Sequence, residues 1–132
     1  MTTATIPSGS EPVLIDSSGW LEYLTEDSKA ILFADYFEGD HAVLVPTIVL
    51  YEVRKILLLR KSKSDADVFV SQALRRRIVD LDETLALAAV QVAIRHRLAM
   101  ADAIIYATAQ AHGAQLVTSD THFAGLPGAI IL

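Results

Sequence analysis

Short apolar runs alternate along this chain with longer stretches of helical period, and that alternation leaves few folds open. Val13, Leu14 and Ile15 form the first run, too short for a helix and ending at Asp16. Further runs fall at 42–45, within 77–81, at 115–118 and at 129–132. Between the first two, Ser17 or Ser18 is placed to cap a helix carrying Trp20, Leu21 and Leu24. Apolar residues at 32, 33, 36 and 37 share one face of a helix over 29–38, which Gly39 ends. Pro46 suits the first turn of a helix running to about Arg60 on Val49, Val53, Ile56 and Leu57. Helices over 64–74, from the cap Asp82 to about Arg95, and over 101–112 complete the pattern. Strands spaced by helices predict an α/β fold, a mostly parallel sheet of about four to five short strands with both faces covered. Ligands of such sheets collect beyond the carboxyl ends of the strands, and Asp16 and Asp120 fall there.

Composition removes several function classes. At 132 residues, 52% of them hydrophobic, the chain is expected to form one domain over 13–132 behind a flexible polar leader, residues 1–12. That leader lacks the basic start and apolar stretch of a secretory signal, and no run approaches the ~18 apolar residues of a membrane span. The absence of cysteine excludes disulfides and thiolate metal sites and fits a cytoplasmic protein. The net charge is −5, so nucleic acid binding would need a local basic patch. The segment 53–63 offers one, with Arg54, Lys55, Arg60, Lys61 and Lys63 and no acid, although a solvated helix end reads the same way. Arg75, Arg76 and Arg77 form a second, weaker candidate.

The acidic residues carry the chemistry. Taken singly, Asp16 and Asp120 read equally well as turn or helix caps, and Asp102 as the cap of the helix behind it. Glu52 lies on or beside an apolar helix face with Ile48, Val49 and Ile56, where an unpaired carboxylate is costly. An ion pair with Lys55 would compensate it; so would a metal. Taken together, two acids at strand ends and two on flanking helices would repel by up to ~3 kcal/mol per pair at about 5 Å unless a cation lay between them. An all-oxygen ligand set suits Mg²⁺ or Mn²⁺, ions that assist phosphodiester hydrolysis.

Four motifs give the pattern a family. They are Val13-Leu14-Ile15-Asp16-Ser17-Ser18, the run 46–53 around Glu52, the run 98–109 around Asp102, and Leu116-Val117-Thr118-Ser119-Asp120-Thr121-His122-Phe123. In this order, over roughly residues 13 to 132, they resemble the PIN-domain ribonucleases, most closely the VapC-type toxins of toxin–antitoxin pairs. The resemblance implies a PIN-like three-layer fold and Mg²⁺ or Mn²⁺ held by Asp16, Glu52, Asp102 and Asp120. It implies help from the hydroxyl of Thr118, and by extension Ser17, in endonucleolytic cutting of RNA. A cognate antitoxin and a homodimer follow from the same resemblance. Ser119 departs from it, standing where many relatives carry a basic or amide residue.

Other classes fit less well. A haloacid-type phosphatase needs a second carboxylate at Ser18, and a receiver domain needs paired acids at the first strand end and a later lysine; neither is present. A catalytically silent PIN-fold interaction module is the remaining alternative, and losing one of the four acids would favour it. His41, His96, His112 and His122 show no paired ligand spacing, so a zinc site is not expected, and each reads as a surface or loop residue. Trp20 and the tyrosines read as core. The run Ile56-Leu57-Leu58-Leu59 is too continuous for one buried face and suggests a surface covered by a partner, although core packing explains it equally.

Overall fold

Every residue of the strands formed by the first two apolar runs is buried, although successive strand residues point to opposite faces, so both faces of the sheet they form are covered. These strands are β1 (Val13–Ile15) and β2 (Val43–Pro46) in a computed structural model that describes residues 11–132. The sheet continues through β3 (Arg77–Val79), β4 (Gln115–Thr118) and β5 (Ala129–Ile131), with the order β3-β2-β1-β4-β5 and every neighbour parallel. Leu14 pairs with Leu44 on one side and Leu116 on the other, which makes β1 the centre.

Among the described residues six α-helices flank the sheet: α1 (Ser17–Leu24), α2 (Ala30–Glu38), α3 (Thr47–Arg60), α4 (Lys63–Ala73), α5 (Glu83–His96) and α6 (Met100–Ala111). The α/β expectation holds, with five strands. The strand order runs outward from β1 to β3, then resumes on its other side at β4. The crevice of an open parallel sheet forms at such a reversal, here beyond the carboxyl ends of β1 and β4.

One apolar core joins the layers. Trp20 lies edge-on to Phe37 and Phe69, linking α1 to α2 and α4. Gly19 makes this approach possible: a Cβ there would stand 2.5 Å from Ile15 Cγ2 and 2.6 Å from Phe33 Cε1.

Several local expectations need correction. Asp16 itself, not Ser17 or Ser18, caps α1, accepting the Gly19 N–H at 3.1 Å. In α2 the inward face is Phe33, Tyr36 and Phe37, while Leu32 faces solvent. Of the run 56–59 only Leu57 is buried; Leu59 is 75% exposed. Tyr36 and Tyr106 join Trp20 in the core, but Tyr51 is 63% exposed and Tyr23 half-buried. His41 is buried against the Tyr36 ring, because the chain turns into β2 there and folds the imidazole over α2. Of the leader expected over 1–12, residues 1–10 lie outside the described residues; Pro12 already belongs to the fold, its carbonyl accepting the Gln115 N–H. No helix among the described residues is long and apolar enough to cross a membrane.

Candidate metal centre

The reversal of the sheet brings Asp16 and Thr118 together from positions 102 residues apart. Asp16 leaves β1 and is 3% exposed. Its carboxylate accepts Thr118 Oγ1 at 2.6 Å, Ser18 Oγ at 2.7 Å and the Gly19 N–H. Burial outweighs these donors and pushes the carboxyl up to about 6, and the charge of Asp120 adds to the rise. Thr118, fully buried at the end of β4, also accepts the Asp120 N–H at 2.8 Å. One hydroxyl therefore orients Asp16 and fixes the loop that carries Asp120.

Glu52 arrives on the second turn of α3, with Ser17 Oγ donating to its Oε1 at 2.6 Å. The ion pair with Lys55 does not form: Glu52 has no basic partner among the described residues, and the Lys55 ammonium lies 5.6 Å from the centroid of the Tyr51 ring. Asp102 is not a cap either. Ala99 holds that position, and Asp102 sits in the first turn of α6, where the helix dipole favours negative charge. Burial nevertheless raises its carboxyl above the ordinary value, followed by the charge of Asp120; His122 opposes the rise and Glu52 adds to it. These influences link Asp102, Asp120 and Glu52, while Asp120 links the group to Asp16.

Asp120 caps a 3-10 turn, Thr121–Phe123, accepting the His122 N–H at 2.9 Å. The turn brings the imidazole back onto the same carboxylate, Nδ1 to Oδ1 2.8 Å. One ligand atom from each of Asp102, Asp120 and His122 lies within 4.8 Å of the others. The donor set fits a divalent cation: negative charges influence one another, no lysine or arginine pairs with any of them among the described residues, and burial has left Asp16 and Asp102 poorly solvated.

A PIN-domain family model matches residues 13–129, a span that includes all four acids. The chain belongs to the PIN-domain family. No curated protein sequence matches it. Among solved structures, this PIN domain is similar to a toxin–antitoxin complex from Klebsiella pneumoniae, at 24% identity and a TM-score of 0.74, covering 89% of this chain and 95% of that one. It is similar to the sarcin–ricin-loop-cleaving toxin VapC20 of Mycobacterium tuberculosis, at 18% identity and a TM-score of 0.75, covering 88% and 95%. DNA-bound VapBC from Salmonella typhimurium shares the fold at 16% identity and a TM-score of 0.73, covering 92% and 97%.

The basic residues of the segment 53–63 are spread around α3 and the start of α4. Arg54 pairs with Asp67 of α4 at 3.0 Å, and Lys63 pairs with the same aspartate at 2.7 Å, so the acid absent from 53–63 comes from the next helix. Arg60 and Lys61 line a groove of about 450 Å³ with Leu21, Thr25, Ile56 and Leu57, flanked by Glu26 and Asp27. Arg76 is structural, donating to the Phe37 carbonyl at 2.6 Å. Sequence reasoning missed two residues here. Ser18 bridges Asp16 and the Ser119 N–H, at 3.1 Å to the latter, so Ser119 enters the site through its backbone. His122 is the surface residue that the sequence suggests, on an exposed turn, yet its ring reaches Asp120; the spacing of two across a turn is the signal for that contact.

Proposed function

We propose that this PIN domain is a divalent-cation-dependent endoribonuclease acting in the cytoplasm as the toxin of a VapBC-type pair. The pairing of Asp102 and Asp120, with Asp16 and Glu52 linked to them through their charges, at the reversal of the sheet carries this reading. Those four carboxylates would hold Mg²⁺ or Mn²⁺. When bound, the ion lowers the pKa of water and stabilises charge on the attacking and leaving oxygens of a phosphodiester.

The protein supplies position. Three donors hold Asp16 in one orientation, Ser17 does the same for Glu52, and Thr118 couples Asp16 to the Asp120 loop. Such supporting hydrogen bonds fix ligand geometry before an ion arrives. Residues 13–132 would act as one nuclease unit. RNA phosphates would be met by basic side chains of α3. Arg60 lies eight residues beyond Glu52, about 12 Å along the axis of α3 and about 80° around it, with Lys61 beside it. Lys55 adds charge nearer the site, whereas Arg54 would have to leave Asp67 to contribute.

The fold shared with toxin–antitoxin complexes supports a cognate antitoxin, and a homodimer would follow only from the family resemblance. Two exposed apolar areas offer such partners a surface. One runs along α3 through Tyr51, Leu58 and Leu59, and the other along α5 and the start of α6 through Leu87, Val90, Ile94 and Met100.

Incubating the purified chain with RNA tests the reading. Cleavage is expected with Mg²⁺ or Mn²⁺, should stop with a chelator and return when either ion is restored. Equal cleavage after chelation would remove the metal from the mechanism, and no cleavage with any divalent ion would favour a silent interaction module.

A further inference from the structure

The short turn after β4 places a nitrogen donor where an all-oxygen site would have none. Phe123 is fully buried and anchors the turn, while the His122 N–H is fixed on Asp120 Oδ1, so the imidazole is held beside the carboxylates although its ring is exposed. Two ligands at about 2.1 Å from one ion, at right angles, stand about 3 Å apart. The 2.8 Å between His122 Nδ1 and Asp120 Oδ1 matches that spacing, and a ligand atom of Asp102 lies within 4.8 Å of both residues. Asp120 Oδ2 has no hydrogen-bond partner among the described residues and is free to turn to the same ion.

We infer that His122 is a direct ligand of the metal, converting a carboxylate site into a mixed oxygen–nitrogen site that prefers Mn²⁺ to Mg²⁺. The inference rests on the metal-dependent reading above and adds a ligand and an ion preference to it. Mg²⁺ is a hard ion that favours oxygen and dehydrates reluctantly. An imidazole nitrogen favours the more polarisable transition ions, so it discriminates between two cations that carboxylates hold in similar ways. An alternative geometry leaves the imidazole hydrogen-bonded to Asp120 and never in contact with the ion.

Two measurements on the full chain and its His122→Ala variant separate these arrangements. Pulsed electron paramagnetic resonance of the Mn²⁺-loaded protein should show ¹⁴N coupling from a directly bound imidazole, and the variant should lack it. Calorimetric titration should show the Mn²⁺ Kd rising by roughly tenfold or more in the variant, with the Mg²⁺ Kd changing far less. Retained Mg²⁺ binding also reports that the variant keeps its carboxylate site. Absent coupling in the original protein, coupling that survives His122→Ala, or equal weakening of both ions would each overturn the ligand assignment while leaving metal-dependent cleavage standing. If neither ion binds the original protein, both readings are overturned.

Discussion

The inner wall and the rim of the acidic site are built on different terms. Asp16, on the wall, is almost fully buried and receives three donors from α1 and β4. Asp102, on the rim, is half-exposed and receives no hydrogen bond among the described residues; its neighbours are other charges. A carboxylate with three fixed donors has one orientation and defines where a ligand sits. A carboxylate on the first turn of a helix, faced by an exposed imidazole on a short turn, can rotate to meet what arrives. Under the proposed function the wall would fix the position of an ion, and the rim would determine which ion and which phosphate are accepted.

Removing charge from the rim should give the largest effect. Asp102→Asn keeps the shape of the side chain, and Ala99 rather than Asp102 caps α6, so the helix loses nothing at its cap. Cleavage should fall by more than the roughly 10–100-fold typical of losing a supporting hydrogen bond to a ligand. The metal-free variant should melt no lower than the original, since burial and the charges of Asp120 and Glu52 disfavour ionised Asp102. Mg²⁺ or Mn²⁺ should raise the melting temperature of the original more than that of the variant. Retained cleavage with an unchanged ion response would sink the role of Asp102.

The wall should reveal itself through pH. The Asp16 carboxyl is raised from 3.8 to about 6, so without metal the folded protein holds a proton that the unfolded chain has already released. Stability from this group is fully present below about pH 4 and is lost as pH rises through about 6. The total is on the order of 3 kcal/mol. Urea midpoints measured in chelator at pH 4.5 and 7 should differ accordingly, and Asp16→Asn should flatten the difference. A profile as steep in the variant would assign the pH dependence to other groups.

Thr118→Val comes next in size. Valine keeps the volume but removes the donor to Asp16 and the acceptor of the Asp120 N–H. Metal affinity should drop about 10–100-fold, and Thr118→Ser should recover much of it. If valine and serine behave alike, the hydroxyl does not organise the site.

The elements were legible in the sequence where burial is two-sided. Val13–Ile15 and Val43–Pro46 are continuous apolar runs because helices cover both faces of the sheet, and no other arrangement buries such short runs so completely. The acids were legible because each interrupts or ends an apolar pattern. What was hidden depends on pairings across the chain or on turn geometry. Ser18 resembles any serine at a helix start until β4 brings Ser119 and Thr118 beside it. Two residues apart, His122 and Asp120 would lie on different sides of a regular helix; here they meet because a 3-10 turn closes on the carboxylate. Leu58 and Leu59 continue an apolar run, yet only Leu57 faces inward, since a helix buries one stripe whatever the sequence offers on the others.

The smallest expected effect lies outside the wall and the rim, on the part of α3 that continues past Glu52. If RNA extends from the site along the groove lined by Ile56, Arg60 and Lys61, each phosphate contact releases counterions from a single strand. The log–log dependence of binding on salt then loses ~0.7 unit of slope for every contact removed. Arg60→Ala together with Lys61→Ala should therefore lower the slope by about 1.4, without altering the Mg²⁺ or Mn²⁺ affinity of the four acids. Arg54→Ala is the internal comparison. Its guanidinium already pairs with Asp67, so its removal should leave the slope nearly unchanged and alter stability little, as for an exposed ion pair. Equal slopes for the original protein and the double variant would make Arg60 and Lys61 a solvated helix end. A slope that falls only with Arg54→Ala would move the RNA track to the apolar groove on the other side of α3, beside Tyr51 and Leu58.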